Sequence, residues 1–412
     1  MSSRKSNRKL RLVTGLLVLL ALVTLAARRS DSAATDVGPV ANGALPGPFP
    51  LFPPDNWWNL DMTSAPVDSN SAAFISFINN GGTRRLHPDF GGDVSAGSVA
   101  IYGMPYVVVD GTQAKKAVQF LYSDESDGVD HTTNTSFPFY PIPDEAITQA
   151  HWIEGGWPGN QDMRSSNDRH LLIVDRDNKS LYELYNVFYD GTKWLSGSGA
   201  FFDMKTNNRR PDGWTSADAA GLAILPGLVR YDETYGPDEI GHAFRATVRA
   251  TNGYVYPASH RAGSTAGALP MGARLRLKPG VDLSSFPADA QKIFRAMKKY
   301  GLIVADNGSD MYVTGTYDNR WNNSVLNPAF AGLTASDFDV ITLGYNPPAP
   351  SPTATQGPAA SPTATPTAPP PTATATATAT SVPPTAMPTP TPTKTPRTPK
   401  PTRTPRHALV LP

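Results

Sequence analysis

The sequence contains no cysteine, which excludes disulfides, thiolate zinc sites and a cysteine nucleophile. That absence says little about compartment, because an exported bacterial protein can rely on its core instead of bridges. An excess of charge of either sign is also lacking. With 36 basic against 35 acidic residues, no broad field recruits nucleic acid or an acidic substrate, and any charge effect must be local. The seven histidines never fall at metal-like spacing, and no phosphate-cradling glycine loop, HExxH or GxSxG elbow occurs. No motif calls for a cofactor.

Long apolar runs are nearly absent too. The one exception, Leu12 to Ala27, follows Arg4, Lys5, Arg8, Lys9 and Arg11 and has the layout of a signal peptide. It is short beside the roughly 20 residues of a relaxed membrane span. Small residues up to Ala34 supply a cleavage site, so residues 1–34 read as a cleaved leader. Arg28 and Arg29, just past the apolar run, favour the alternative of a retained N-terminal anchor. On either reading the charge distribution places the remainder outside.

What is abundant is proline, with 41 residues, many of them near the C-terminal end. From Asn346 onward the chain is Pro, Thr, Ala and Ser without an acidic residue. Residues 346–412 are therefore expected to be a disordered Pro/Thr-rich stalk, extended as polyproline II. Lys394, Arg397, Lys400, Arg403 and Arg406 recur there at every third position. Polyproline II has three residues per turn and rises about 3.1 Å per residue, so these cations share one edge at intervals of roughly 9 Å. That edge reads as a basic rail for an anionic cell-wall polymer or membrane surface, or as solubilising charge.

Residues 35–51 read as an extended leader and residues 52–345 as the folded domain. Short apolar runs alternate there with Gly, Pro, Asn and Asp clusters, the rhythm of a mainly β fold, an antiparallel β-sandwich of jelly-roll type. Strand candidates are Ser98 to Ile101, Tyr106 to Val109, Ala117 to Tyr122, His170 to Asp175, Leu181 to Tyr189, Ala200 to Met204, His242 to Val248, Arg274 to Leu277, Leu302 to Ala305 and Met311 to Gly315. One helix is expected from Ala288 to Tyr300, after Pro287 and before Gly301, and a short second one after Thr215, which has capping-box spacing to Asp218. Asn307-Gly308 has the chemistry of a type I′ turn, which would pair Val304 with Met311 and Leu302 with Val313.

A second hairpin turns through Arg176 to Lys179 and sets Leu172 opposite Glu183 and His170 opposite Tyr185. Side chains alternate along a strand, so His170, Leu172, Glu183 and Tyr185 share one face. A histidine, a carboxylate and a tyrosine there suit proton transfer. For a glycoside hydrolase, Glu183 would be one of two carboxylates, with Asp203 or Glu233 as partner. In a polysaccharide lyase, His170 and Tyr185 would be base and acid, with Arg209 or Arg210 neutralising a uronate. The competing reading is structural pairing across the hairpin. Arg230, Glu233 and His242 are further candidates in the Gly- and Pro-rich stretch after Trp214, where Asp218 reads as a helix cap. Trp152, Trp157 and Trp214 are the best candidates for stacking on sugar rings, with core packing as the alternative. Asp124, Glu125, Asp127 and Asp130 are oxygen ligands of the kind calcium takes, though without EF-hand spacing; a solvated loop competes.

The strings DRHLLIVDRD, LYELY, GSGAFFD, GWTSADAAGLAILPGLVRYDE, YPASH and YGLIVADNG, between about Asp168 and Asn307, resemble a family of uncharacterised secreted bacterial proteins. The resemblance implies export and a common fold and assigns no catalytic residue. The expectation is a secreted or surface-displayed protein acting on an extracellular polysaccharide, as hydrolase or lyase. Alternatives are a non-catalytic glycan-binding or adhesive surface protein and a structural surface-layer role.

Overall fold

The computed structural model describes residues 38–92 and 101–347. The signal-peptide region, most of the Ser98 to Ile101 strand candidate and the Pro/Thr-rich stalk with its basic repeat lie outside the described residues. Among those described, no helix is long and apolar enough to cross a membrane.

The fold is mainly β and is organised by two sheets. The first contains, in spatial order, the strands Val40–Ala41, Tyr106–Val109, Leu171–Asp175, Ser180–Tyr185 and Ser198–Asp203. Its side chains alternate cleanly. Val107, Leu171, Ile173, Tyr182 and Leu184 point into one core with Phe120, Tyr140, Ile153 and Trp194. Tyr106, Val108, Leu172, Val174, Leu181 and Ala200 point into another, with Ala223, Ile224, Leu225 and Leu228. Because this sheet is covered on both faces, a polar group in it needs an internal partner. The Val40–Ala41 strand pairs with Val107 and Val108, so the folded chain begins upstream of Phe52.

The second sheet runs Phe338–Val340, Arg274–Leu277, Leu302–Asn307, Phe244–Val248, Tyr312–Thr314 and His87–Asp89. Phe244, Ala246, Val248, Leu302, Val304 and Val313 share a core with Ile293, Phe294 and Met297 of the Ala288–Lys299 helix and Leu326 and Phe330 of the Asn323–Ala331 helix. The Ala288–Lys299 helix forms where its apolar stripe requires, with Lys298 and Lys299 in the last turn, favourable to the helix dipole. Gly301 follows at φ 82°, and a Cβ there would lie 2.5 Å from the Leu275 carbonyl oxygen. Only glycine admits that stop.

Several expectations change. The sheets are mixed where an antiparallel jelly roll was expected: Tyr106–Val109 lies parallel to Leu171–Asp175, Phe244–Val248 to Leu302–Asn307, and Tyr312–Thr314 to His87–Asp89. Alternation marks which face is buried but carries no information on strand direction. The Asn307-Gly308 turn does not close a hairpin. Phe244–Val248 inserts between Leu302–Asn307 and Tyr312–Thr314 and pairs with both. Residues 215–222 form a loop in place of the expected helix, with the Thr215 hydroxyl donating to the Asp218 carbonyl. The described residues hold five α-helices, more than the one or two expected.

Candidate functional site

The second sheet carries polar side chains on the face opposite Phe244 and Ala246. Thr314 stands in register with Asp89, and Arg245 reaches Thr314 across the neighbouring strand, Nη1 donating to Oγ1 at 2.8 Å. The guanidinium also donates from Nε and Nη2 to the two oxygens of Asp218, each at 2.8 Å, and from Nη2 to Asp306 Oδ2 at 3.1 Å. Asp218 is brought there by a tight loop in which Ser216 accepts from the Asp218 N–H and donates to the Leu222 carbonyl. Gly221 turns that loop at φ 73°, where a Cβ would strike Ser259 and the Trp214 carbonyl.

Asp218 is sealed from water, but the Asp306 side chain is 28% exposed. Burial pushes the Asp306 carboxyl up to about 7 against the pull of Arg245, with the charge of Asp218 reinforcing the rise. Asp218 and Asp306 share the one guanidinium, Asp218 through two of its hydrogen bonds and Asp306 through one.

The first sheet contributes the other half. His170 Nδ1 faces Glu154 Oε2 at 2.5 Å, and Nε2 faces the Ala217 carbonyl at 3.1 Å. Each ring nitrogen thus meets an acceptor, which is the arrangement of an imidazolium. Burial pulls the His170 pKa down, but Glu154 outweighs it and the result is about 9. Glu154 responds in kind: burial alone would raise its pKa, yet the paired imidazolium holds it below the usual carboxylate range. The two backbones lock the pair, Glu154 N–H to His170 O at 3.0 Å and His170 N–H to Glu154 Oε2 at 3.1 Å. Arg169, at φ 59°, sets the approach and donates to the carbonyls of Trp157 and Pro158 in the Glu154 loop. A non-glycine residue there stores strain of about 1–3 kcal/mol, offset by the buried bonds it makes.

Asp89 completes the group. Burial, and next the negative charge of Glu154, push its carboxyl up to about 6. The Glu154 side chain remains 24% exposed. The two carboxyls thus sit in opposite environments: His170 holds Glu154 toward the carboxylate, and burial with the charge of Glu154 holds Asp89 toward the acid. Environments that split such a pair are how proteins assign acid and base roles.

No known protein family, curated protein or solved structure matches this chain.

The residues singled out in the sequence distribute as follows. Leu172 stands opposite Glu183, and the rings of His170 and Tyr185 lie 5.5 Å apart, as the hairpin register required. Glu183 does not share the solvent-facing position of Glu154. It is fully buried and accepts from the N–H groups of Ile224 and Leu225 where the Leu225–Gly227 turn begins. Burial pushes its carboxyl up to about 7. Arg230, Glu233 and His242 form a separate buried group: Arg230 Nη2 donates to Glu233 Oε2 at 2.5 Å and His242 Nε2 lies 2.9 Å from Oε1. Asp203 sits at the end of its strand, 3.6 Å from Lys205.

Trp152 is a core residue, while Trp157 and Trp214 are half-buried. Arg210 lies over the Trp214 ring and pairs with Asp127; Arg209 pairs with Asp212. The acidic cluster divides into separate tasks, since Glu125 accepts from Thr215 N–H, Asp127 binds Arg210 and Asp130 caps the turn at Thr132. Among the described residues, no three His, Cys, Asp or Glu side chains are grouped to hold a metal.

Asp89, Glu154, Arg245 and Asp306 escaped the sequence reading. For the three carboxyls the signal was an acidic residue close to Gly or Pro in HPDFGG, IEGG and ADNG, in a loop or near the end of a strand, whereas Arg245 in mid-strand carried no such mark.

Proposed function

We propose that this protein is a hydrolase of glycosidic bonds in an extracellular polysaccharide, with Asp89 as proton donor and Glu154 as the ionised carboxylate. The observation that carries this reading is the split between the two groups, Asp89 raised to about 6 by burial and the charge of Glu154, and Glu154 held ionised by its 2.5 Å contact with His170. Glycoside hydrolysis needs such a pair. Asp89 would protonate the leaving glycosidic oxygen as the bond to the anomeric carbon breaks. Glu154 would either take a proton from the attacking water or attack the anomeric carbon itself. Its Oε2 is committed to His170, which assigns Oε1 to the substrate.

The geometry favours hydrolysis over elimination. A lyase base must have a lone pair, and both nitrogens of His170 face acceptors. A uronate must also be neutralised, whereas Arg209, Arg210 and Arg245 are each engaged by an aspartate. The carboxylates around Asp89 further suit a neutral or basic polymer over a polyanion. The extracellular setting rests on the charged and apolar opening of the chain and on its Pro/Thr-rich end.

The test is incubation of the purified protein with neutral, amino-sugar and uronic polysaccharides, scoring reducing ends and the absorbance of unsaturated products. New reducing ends without absorbance are expected. Unsaturated product, or tight binding without either signal, would favour a lyase or a non-catalytic glycan binder instead.

A further inference from the structure

Two stacked histidine–tyrosine pairs lie close in sequence to the Asp89 and Glu154 positions. His87 and Tyr312 have ring centroids 4.3 Å apart at an interplanar angle of 12°, and His151 and Tyr317 have centroids 5.1 Å apart at 7°. All four residues are half-buried, so each pair keeps some surface open to solvent. His87 and Tyr312 stand in register on neighbouring strands, one same-face step before Asp89 and Thr314. That step is about 7 Å along the strand. Further along the chain, past the bridges at Gly315 and Thr316, Tyr317 has its N–H bonded to the Met104 carbonyl at 3.0 Å. His151 precedes Glu154 by three residues, in a turn at φ 65° closed by its N–H on the Gly156 carbonyl. Tyr312 and Tyr317 can be separated by at most about 18 Å of chain, a reach that spans several sugar rings.

Histidine is an odd choice for packing alone. In both rings Nδ1 is buried without a well-aligned hydrogen bond among the described residues, although the Pro88 backbone still acts on the His87 ring. A buried unpaired polar atom costs about 1–3 kcal/mol, and phenylalanine would stack on tyrosine without that cost. Burial also pushes both imidazoles below the ordinary histidine pKa, so near neutral pH they are uncharged rings and suit an uncharged ligand. With Nδ1 buried, Nε2 is the ring nitrogen left for a ligand, and a ring with an apolar face and that polar edge matches a pyranose, which has CH groups on its face and hydroxyls at its rim.

We infer that the His87–Tyr312 and His151–Tyr317 stacks are sugar-binding subsites on either side of the Asp89–Glu154 pair, holding a linear, uncharged glycan across it. This rests on the hydrolase reading for the position of the cleaved bond, but binding at the stacks is measurable without cleavage.

The experiment titrates neutral oligosaccharides of two to six units, cello-, xylo-, manno- and chito-series, into the full chain carrying Asp89→Asn, by calorimetry. Affinity should rise with length. Tyr312→Ala and Tyr317→Ala should each weaken the longest ligand by about tenfold, and His87→Phe and His151→Phe, which keep the stack and lose only the polar edge, by a similar factor. Should the alanine variants unfold, the phenylalanine variants decide alone. If the unsubstituted protein cleaves a glycan while all folded variants bind as well as the parent, the subsites are rejected and the hydrolase stands. If binding depends on the stacks and nothing is cleaved, the hydrolase falls and the subsites stand. No binding in any series rejects the subsites.

Discussion

Arg245 grips Asp218 through two parallel hydrogen bonds of 2.8 Å, Nε to Oδ2 and Nη2 to Oδ1, with both side chains sealed from water. This pair ties the 213–222 loop to the second sheet and fixes the guanidinium that reaches Asp306. A buried ion that loses its partner is expensive. Asp218→Ala is therefore expected to lower unfolding stability by about 3–5 kcal/mol. Urea denaturation followed by tryptophan fluorescence measures this, and a loss under about 1 kcal/mol would show that water or another group takes over the charge.

Glu183 predicts how stability varies with pH. Its folded pKa, about 7, lies above the ordinary 4.5, so between those values the folded state holds the proton more tightly than the unfolded one. Stability from this group is thus present in acid and lost as pH rises from about 4.5 through 7. The shift corresponds to about 3 kcal/mol. Glu183→Gln keeps an acceptor for Ile224 and Leu225 N–H and removes the titration, so its stability profile between pH 5 and 8 should be flatter than that of the parent. Parallel profiles would show that Glu183 is not the group responsible.

The hairpin of His170 and Glu183 was legible because its register is local: four turn residues and the period-two alternation suffice to place Leu172 against Glu183. The Ala288–Lys299 helix was legible for the same reason, its stripe and its stops being contiguous. What the sequence hid was long-range. Asp89 joins the second sheet through a parallel pairing with residues more than two hundred positions later, and Glu154 is brought to His170 by a loop with no regular period. Asp218, read as a helix cap, proves to be the partner of Arg245 across twenty-seven residues. Glu183 drew attention as a carboxylate in a strand, yet such a residue is buried on a covered face and is answered by backbone N–H groups. The partly exposed carboxyls sit elsewhere, Asp89 and Asp306 at the ends of strands and Glu154 in a loop.

His170 gives a second pH signature with the opposite group chemistry. Its folded pKa, about 9, exceeds the ordinary 6.5, so its contribution is fully present below about 6.5 and lost as pH rises through 9. His170→Gln should abolish that loss and weaken the parent below pH 7. Nitrogen-15 spectra of the imidazole provide the direct check: both ring nitrogens should remain protonated at pH 8. A neutral ring at that pH would undo the ion pair with Glu154 and restore His170 as a base.

The activity profile follows from the pair itself. Cleavage requires Asp89 protonated and Glu154 ionised, so the rate on a responsive glycan should fall as pH rises through about 6, the value to which burial and Glu154 raise Asp89. Asp89→Asn should cost about 10²–10⁴-fold in kcat and remove that limb. His170→Gln acts on the other side. Without the imidazolium, burial should raise Glu154, moving the acid limb upward and narrowing the active range from below. In Glu154→Gln, residual activity should keep an alkaline limb shifted to lower pH, because the negative charge that holds the proton on Asp89 has gone. A limb that stays fixed in Glu154→Gln would mean that the two carboxyls do not sense one another, and the assignment of acid and base would pass to Asp306, the other raised carboxyl at the site.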